Sequence, residues 1–141
     1  MENNGFYTMK GYLLHEDGQL TTAMEDYLEM ITRLSMEREE VRVSLLSRML
    51  HVKASSVTKM VRQLAEAGLL EAQKYGTITL TERGHQSGTY LLHRHDVLHR
   101  FLCLVNQTDN ELEQVEKIEH FLNMRTVENL ELLTLRLEKL E

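Results

Sequence analysis

Residues 41–70 have the sequence VRVSLLSRMLHVKASSVTKMVRQLAEAGLL, in which two segments of helical periodicity flank a short connection at residues 51–54. Each segment carries apolar residues at helical spacing, which predicts one buried face per helix. Two short helices joined by a tight connection are typical of a helix-turn-helix. The apolar residues are Leu45, Leu46 and Met49 in the first segment, and Val57, Met60, Val61 and Leu64 in the second.

Residues with capping preferences indicate where these two helices begin and end. Ser44 is predicted to cap the first helix, which runs through Leu50. Ser55 or Ser56 is predicted to cap the second, because a serine oxygen can accept a hydrogen bond from a free backbone amide. Gly68 stands where a left-handed residue commonly ends a helix.

A β-hairpin is predicted directly after the second helix. Residues 70–74 and 77–81 form two short runs on either side of Tyr75-Gly76, and the second run alternates apolar and polar side chains. A helix-turn-helix followed by a hairpin is a winged helix-turn-helix, whose second helix enters the major groove of DNA. The sequence therefore predicts a lobe that binds double-stranded DNA.

The residues predicted to contact DNA are small hydroxyl-bearing and basic side chains. Hydroxyls allow close approach to phosphates and base edges, whereas Lys and Arg neutralise phosphate or reach acceptors on guanine. The alternative is a solvated basic face on a small helical domain, but the order of helix, turn, basic helix and hairpin favours DNA binding. The candidates are Ser55, Ser56, Thr58, Lys59 and Arg62 on the second helix, with Lys74 and Tyr75 at the hairpin tip.

Charge is divided unequally along the 141-residue chain, whose formal net charge is −6. Residues 41–83 hold seven Lys or Arg against three acidic residues, whereas residues 104–141 hold four against nine. Segments of opposite sign suggest different partners, a polyanion for the first and cations for the second. No apolar run approaches the ~18 residues of a membrane span, and no signal peptide is visible. With a single cysteine, Cys103, we expect a cytoplasmic protein without a membrane partner.

Helical periodicity continues on both sides of the winged segment. A capping box at Thr22 and Glu25 predicts the start of a first helix. A long helix is predicted over residues 81–105, followed by one that opens at Asn110 and a last one over residues 126–140.

The predicted fold is mainly α-helical with a small β-hairpin wing. It consists of an N-terminal winged helix-turn-helix and an α-helical dimerisation domain. The expected boundaries are an N-terminal arm at 1–20, the winged helix-turn-helix at 21–85, and a helical metal-binding and dimerisation domain at 86–141. The two lobes are expected to be joined within the long helix.

The acidic half contains the motif Glu116-x-x-Glu119-His120. Positions i, i+3 and i+4 share one face of a helix, so two carboxylates and an imidazole would face one point. Such an arrangement suits a divalent cation. Taken alone, the motif is more typical of an ordinary charged surface helix.

Two further elements strengthen the metal hypothesis. Asp26 and Glu29 share a face of the first helix, and His95 lies on the long helix. Four carboxylates crowded together raise one another's pKa unless cations balance them, and two divalent ions would do so. Oxygen-rich ligation without thiolates favours Mn²⁺ over zinc or copper.

Four separated motifs resemble the diphtheria toxin repressor family, and most closely its manganese-responsive branch. They occur in order within residues 22–135, the extent of the resemblance. The resemblance implies a homodimeric, metal-activated repressor, not an enzyme, that binds palindromic operator DNA and switches off metal-uptake genes. The motifs are MEDYLE at 24–29, SSVTKMV at 55–61, HRH at 93–95 and VEKIEH at 115–120.

The resemblance also implies a binuclear Mn²⁺ site. Asp26 and Glu116 stand where the iron-responsive branch is expected to have Met and Cys, which points to manganese. His99 and Leu112 stand where that branch's ancillary metal site would need a carboxylate and an imidazole, so the ancillary site is predicted to be absent. The implied ligands are Asp26 with His95 on one ion, His120 with Glu29 on the other, and Glu116 and Glu119 between them.

The expected mechanism is a metal clip between the two lobes, in which occupancy narrows the spacing of the two DNA-reading helices of a dimer. Three other interpretations remain open. One is a carboxylate-bridged dinuclear metalloenzyme. Another is a winged-helix regulator that answers to an organic ligand or to none. The third keeps the fold and replaces manganese by iron, zinc or cobalt.

Overall fold

The computed structural model describes residues 20–37 and 40–140, so the predicted N-terminal arm lies outside the described residues except for Leu20. The described chain is mainly helical with one small sheet, as predicted. Its elements, in chain order, are α1 (Thr22–Glu37), β1 (Val41–Arg42), α2 (Val43–Leu50), α3 (Ala54–Glu66), β2 (Leu70–Ala72), β3 (Thr77–Leu80), α4 (Glu82–Asn106), α5 (Leu112–Ile118), a 3-10 turn (Glu119–Phe121) and α6 (Met124–Lys139).

The wing is a three-stranded antiparallel sheet in the order β1-β3-β2, where the sequence predicts a two-stranded hairpin. The unpredicted strand β1 has only two residues, and Val41 pairs with Ile78. Two residues are too few for an alternating pattern to be recognised. Between β2 and β3 the chain turns through Tyr75 and Gly76, both of positive φ, and Gly76 accepts this conformation without strain.

The helix starts differ from the predicted ones by one residue or more. Thr21, not Thr22, caps α1, because its Oγ1 accepts from Met24 N at 3.1 Å. Neither α2 nor α3 has a side-chain cap, since their N-cap residues are Arg42 and Lys53. Strand β1 runs directly into α2 and leaves no room for a separate capping residue. The predicted caps Ser44, Ser55 and Ser56 therefore lie inside the helices.

The core of the winged lobe lies between α1, α2, α3 and the sheet. Leu28, Ile31, Leu46, Val57 and Leu64 are fully buried in it, so burying each side chain contributes about 1.5–3 kcal/mol. One predicted core residue, Met49, is instead 45% exposed. The buried face of α2 follows Leu45, Leu46 and the half-buried Leu50, which places Met49 outside that face.

Helix α4 joins the two lobes, packing against α1 near its start and against α6 further along. Thr81 caps it by accepting from Gly84 N at 3.0 Å, and its hydroxyl donates to Gly68 O at 2.6 Å. Gly88 lets α1 approach closely, because a Cβ there would lie 1.8 Å from Thr32 Oγ1. The α1–α4 spacing is therefore set by a glycine.

The second lobe consists of α5, the 3-10 turn and α6 packed on the later part of α4. Val97, Leu98, Val115 and Val127 form its buried apolar contacts. Asn123 caps α6 by accepting from Thr126 N at 2.8 Å, so this helix begins two residues before its predicted start. In the described part of the chain no helix is long and apolar enough to cross a membrane.

Candidate metal centre and nucleic-acid interface

The structure brings all six predicted ligands together between the two lobes. Four separate elements supply them, and their packing directs the charged side chains toward the same point. Asp26 and Glu29 come from successive turns of α1, His95 from α4, Glu116 from the end of α5, and Glu119 and His120 from the 3-10 turn.

The imidazole of His95 is the centre of the first ligand group, which the structure places among three carboxylates. Its Nδ1 lies 3.1 Å from Glu119 Oε1, 3.5 Å from Glu29 Oε2 and 3.6 Å from Glu116 Oε2. One candidate atom from each of the four residues lies within 4.8 Å of all the others. These four donors could converge on one cation.

The second ligand group consists of Asp26, Glu119 and His120, and it shares Glu119 with the first. His120 Nε2 lies 2.9 Å from Asp26 Oδ1. The resemblance implied a different pairing, with His95 beside Asp26 and His120 beside Glu29. The side-chain contacts instead join Glu29 to His95 and Asp26 to His120, because α1 presents Glu29 toward α4 and Asp26 toward the 3-10 turn. Which ligands share an ion stays a prediction.

Glu119 shows that the donors suit a cation. Glu119 is completely buried, and its Oε2 has no hydrogen-bond partner among the described residues. A buried carboxylate oxygen without a donor is costly unless a cation neutralises it. Carboxylates and imidazoles together are ligands that hard and borderline divalent metals accept. The residues therefore fit the metal that the resemblance implies.

The pKa values around Glu119 show how closely the carboxylates are crowded. Burial, followed by repulsion from Glu119, raises the pKa of Glu29 to about 7. Burial likewise raises the pKa of Glu116, and Glu119 adds to the rise. Hydrogen bonds to Asp26 and then Glu25 raise the pKa of His120 to about 10. Without metal, protons partly supply the positive charge that the centre needs.

The metal-free protein is expected to lose stability as the pH rises from about 5 to about 9. Unfolded Glu29 loses its proton near pH 4.5 but the folded side chain only near 7, so stability falls between these values. The stabilising protonation of His120 is fully present below about pH 6.5 and is lost as the pH rises through about 10. Deprotonation of Glu29 and deprotonation of His120 therefore both lower the stability as the pH rises. Melting temperatures measured in EDTA across this range test the prediction, and a rising melting temperature contradicts it.

Two residues that the sequence analysis did not assign to the centre lie directly behind it. Glu25, which had been given only a capping role, has its Oε1 2.8 Å from His120 Nδ1 and 3.0 Å from Arg94 Nη2. Arg94 is only 3% exposed. The tripeptide His93-Arg94-His95 could have indicated this contact, because a basic residue next to a ligand on a buried helix face needs a carboxylate partner.

A cavity of about 450 Å³ lies beside the first ligand group. Asp26, Glu29, His95 and Glu116 line it together with Arg33. Arg33 Nη2 binds Glu29 Oε2 at 3.1 Å, so a ligand carboxylate already has a cationic partner. The predicted absence of the ancillary metal site of the iron-responsive branch stays a prediction. At one of the two positions concerned, His99 Nε2 lies 3.5 Å from Cys103 Sγ.

The predicted DNA-contacting face is exposed as a continuous surface of α3. Tyr75 at the wing turn is 87% exposed, and Arg42 Nη1 donates to its carbonyl at 3.1 Å, which fixes the turn. The side chain of Lys74 lies outside what the structure describes. Arg48 and Lys53, which the prediction omitted, are exposed beside the start of α3. All five α3 residues predicted to contact DNA are exposed, namely Ser55, Ser56, Thr58, Lys59 and Arg62.

Comparison with known proteins assigns the chain to one family of regulators. Residues 19–78 match the family described as iron dependent repressor, N-terminal DNA binding domain. The HTH-type transcriptional regulator MntR of Oceanobacillus iheyensis is 37% identical over 111 residues, which cover 78% of this chain and 76% of the relative. The MntR of Bacillus subtilis is also 37% identical, with 78% of each chain covered.

Solved structures agree with this assignment. The manganese regulator SloR is 30% identical with a TM-score of 0.66, and the match covers 79% of this chain and 53% of that one. A manganese-dependent transcriptional repressor in complex with manganese is 26% identical with a TM-score of 0.65. This chain spans about half the length of these two solved chains.

Sequence identity to MntR covers more than three quarters of both chains, and the family model matches residues 19–78, which contain most of the winged lobe. The matched relatives are transcriptional regulators and not enzymes. The chain therefore belongs to the diphtheria toxin repressor family of metal-dependent, DNA-binding transcriptional regulators.

Proposed function

We propose that this protein is a cytoplasmic repressor of metal-uptake genes that binds palindromic operator DNA as a homodimer when Mn²⁺ is plentiful. The observation that carries the proposal is the position of Glu119, completely buried, with one unpaired oxygen, and common to both ligand groups. Manganese in the names of the solved relatives supports the choice of ion.

The proposed site holds two ions. Glu29, His95, Glu116 and Glu119 would bind one, and Asp26, Glu119 and His120 the other. Each ion would supply positive charge to carboxylates that otherwise repel one another. These residues offer carboxylate oxygens and imidazole nitrogens and no thiolate, which suits Mn²⁺; iron, zinc and cobalt are the alternative ions.

Metal would act on DNA binding through α1. This helix packs on α3, which carries the DNA-contacting face, and on α4, which carries His95. Asp26 and Glu29 thus belong to the winged lobe, whereas Glu116, Glu119 and His120 belong to the other. Ions bound by both sets fix one spacing between the lobes, so the ordering cost is met by metal binding before DNA arrives.

The proposed homodimer is supported by the exposed leucines of α6. A helix that is amphipathic but leaves several large apolar side chains in contact with water is typical of an interface. A dimer would present two α3 helices to successive major grooves, ~34–36 Å apart, which is the reason for expecting a palindromic operator. The exposed residues are Leu132, Leu133, Leu135 and Leu140.

The decisive experiment measures the affinity for specific DNA with and without metal. Operators are selected from a random duplex pool in separate Mn²⁺ and EDTA arms, and their affinities are measured by fluorescence anisotropy at matched ionic strength. We expect Mn²⁺ to strengthen specific binding by about 5- to 150-fold, the usual range of an allosteric coupling. Equal affinities in both arms contradict the proposal. Parallel titrations with Fe²⁺, Zn²⁺ and Co²⁺ test the choice of ion.

Lys59→Ala is expected to weaken DNA binding roughly tenfold at low salt for all sequences alike. The Lys59 side chain is exposed on α3 and would neutralise one phosphate, so its loss should reduce the slope of log K against log salt by about 1. Lys117→Ala is the matched control, because Lys117 is exposed on α5, in the other lobe. Equal salt slopes for Lys59→Ala and the wild type would place the DNA-binding face elsewhere.

Arg33→Gln is expected to raise the affinity for Mn²⁺ about fivefold. The guanidinium pairs with Glu29 in the first ligand group and repels an incoming dication by about 1 kcal/mol in a high-dielectric setting. Arg100→Gln is the control, because Arg100 is similarly exposed and pairs with Glu138 away from the centre. Calorimetric titration compares the three proteins. A lower affinity in Arg33→Gln shows that the arginine supports the site instead.

A further inference from the structure

The imidazole of His120 is held on both sides by carboxylates of one helix. Its Nδ1 lies 2.8 Å from Glu25 Oε1, and its Nε2 lies 2.9 Å from Asp26 Oδ1. Glu25 and Asp26 are neighbours on α1, so their side chains diverge by about 100° and enclose the ring. Only Asp26 of this pair belongs to a group of candidate metal ligands.

Glu25 is itself fixed from the other side. The oxygen that faces His120 also accepts from Arg94 Nη2 at 3.0 Å, and the Arg94 side chain is only 4% exposed. Arginine stays charged in proteins, so Glu25 has a permanent cationic partner. Because that oxygen is occupied by two donors, Glu25 is poorly placed to bind a metal ion.

Both ring nitrogens of His120 face carboxylates, so both carry protons when no metal is bound. A metal ion at Nε2 would displace the proton shared with Asp26, whereas the contact of Nδ1 with Glu25 can persist and so decides the tautomer of the metal-bound ring. An ionised carboxylate can only accept hydrogen bonds, so the nitrogen facing Glu25 must carry a proton. That nitrogen is Nδ1, which leaves the lone pair of a neutral ring on Nε2, facing Asp26. Metal-binding histidines commonly donate their second nitrogen to such an outer carboxylate, which orients the ring.

We propose that Glu25 and Arg94 are positioning residues that present His120 Nε2 to metal. Glu25 fixes the tautomer and the orientation of the ring, and Arg94 fixes Glu25. This inference rests on the proposed metal-binding function. It assigns the pair to the Asp26–Glu119–His120 group alone, since neither side chain forms a hydrogen bond or ion pair with His95 or Glu116 among the described residues.

The competing interpretation is that the Glu25–Arg94 ion pair only holds α1 against α4. The two interpretations differ in what glutamine does at position 25. The amide oxygen of glutamine can still accept from His120 Nδ1, although the charge that pairs with Arg94 is gone. A positioning role therefore predicts rescue by glutamine, whereas an ion-pair role predicts that glutamine and alanine behave alike.

The experiment compares Glu25→Ala, Glu25→Gln and the wild type by Mn²⁺ titration calorimetry on the full chain. We expect two ions per wild-type chain, one of them weakened about 10- to 100-fold in Glu25→Ala, and both retained within a few-fold in Glu25→Gln. Glu131→Ala is the matched control. It removes another carboxylate–histidine contact, that of Glu131 Oε1 with His93 Nε2 at 3.2 Å, outside the ligand groups.

A second measurement stays decisive if Glu25→Ala does not fold. Nitrogen-15 NMR of the wild type loaded with diamagnetic Zn²⁺ should show His120 with a proton on Nδ1 and Nε2 bound to metal. The reverse assignment overturns the inference, as does unchanged binding of both ions in Glu25→Ala or equal losses in the Ala and Gln variants. A wild type that binds no metal refutes the proposed function itself, which distinguishes the two failures.

Discussion

Glu119→Gln should abolish most of the dependence of DNA binding on Mn²⁺ and leave the fold intact. Glu119 is common to both ligand groups, so the substitution removes one negative ligand from each proposed ion at once. Loss of an outer partner of a metal ligand costs about 10- to 100-fold in affinity, and loss of a shared ligand should exceed the upper value. Calorimetry and anisotropy at matched ionic strength measure the two losses.

The same substitution should make the metal-free protein more stable. The side chain is completely buried and one of its oxygens has no partner, while Glu29 nearby has its pKa raised to about 7. Glutamine keeps the shape of the side chain and removes the repulsion between two carboxylates. The melting temperature in EDTA should therefore rise, whereas the stabilisation that Mn²⁺ gives the wild type should disappear.

Glu113→Gln is the control for a change of charge on the neighbouring helix. Glu113 is exposed on α5, pairs with Lys117 at 2.9 Å and belongs to neither ligand group. This variant should respond to Mn²⁺ as the wild type does. If Glu119→Gln also responds normally, the ligand assignment is wrong. If it loses the metal response but melts at a lower temperature without metal, Glu119 has a structural role that the unpaired oxygen does not indicate.

Local spacing predicted that Glu116, Glu119 and His120 face one point from a single helix, whereas α5 ends at Ile118 and a 3-10 turn carries Glu119 and His120. Glu116, Glu119 and His120 needed nothing further to be recognised as a possible metal site. That Asp26 and His95 also lie at this point depends on how α1 and α4 cross. The sequence pattern does not specify this crossing, and a family resemblance implied it.

The contacts between the ligand side chains could not be predicted from the sequence, because they depend on tertiary geometry alone. Asp26 and Glu29 are one turn apart on α1, and only the position of the neighbouring helices decides which of them meets His95. Glu25 was missed for a related reason. Its position near the helix start gave a sufficient local explanation, and its contact with His120 spans 95 residues of sequence.

Gly88→Ala should destabilise the protein by about 3 kcal/mol, although the same change in an exposed helix stabilises by up to about 1 kcal/mol. The new Cβ would lie 1.8 Å from Thr32 Oγ1 and 2.9 Å from Thr32 Cβ, and Thr32 is completely buried. The helices must separate to relieve this overlap. Urea unfolding in EDTA measures the loss, with Thr89→Ala, an exposed neighbour on α4, as the control.

Separation of α1 from α4 should also weaken metal binding, which connects this packing to function. Thr32 is three residues from Glu29 and Gly88 is seven from His95, so the two close contacts lie along the same pair of helices. Glu29 Oε2 and His95 Nδ1 are 3.5 Å apart and cannot stay so if the helix axes move outward.

Thr32→Ala combined with Gly88→Ala removes the hydroxyl that clashes. The free energy of unfolding of this double variant should be about 1–2 kcal/mol higher than the sum of the two single changes predicts. The double variant should also recover part of the Mn²⁺ affinity. Recovery of stability without recovery of metal binding would show that the α1–α4 spacing does not control the site.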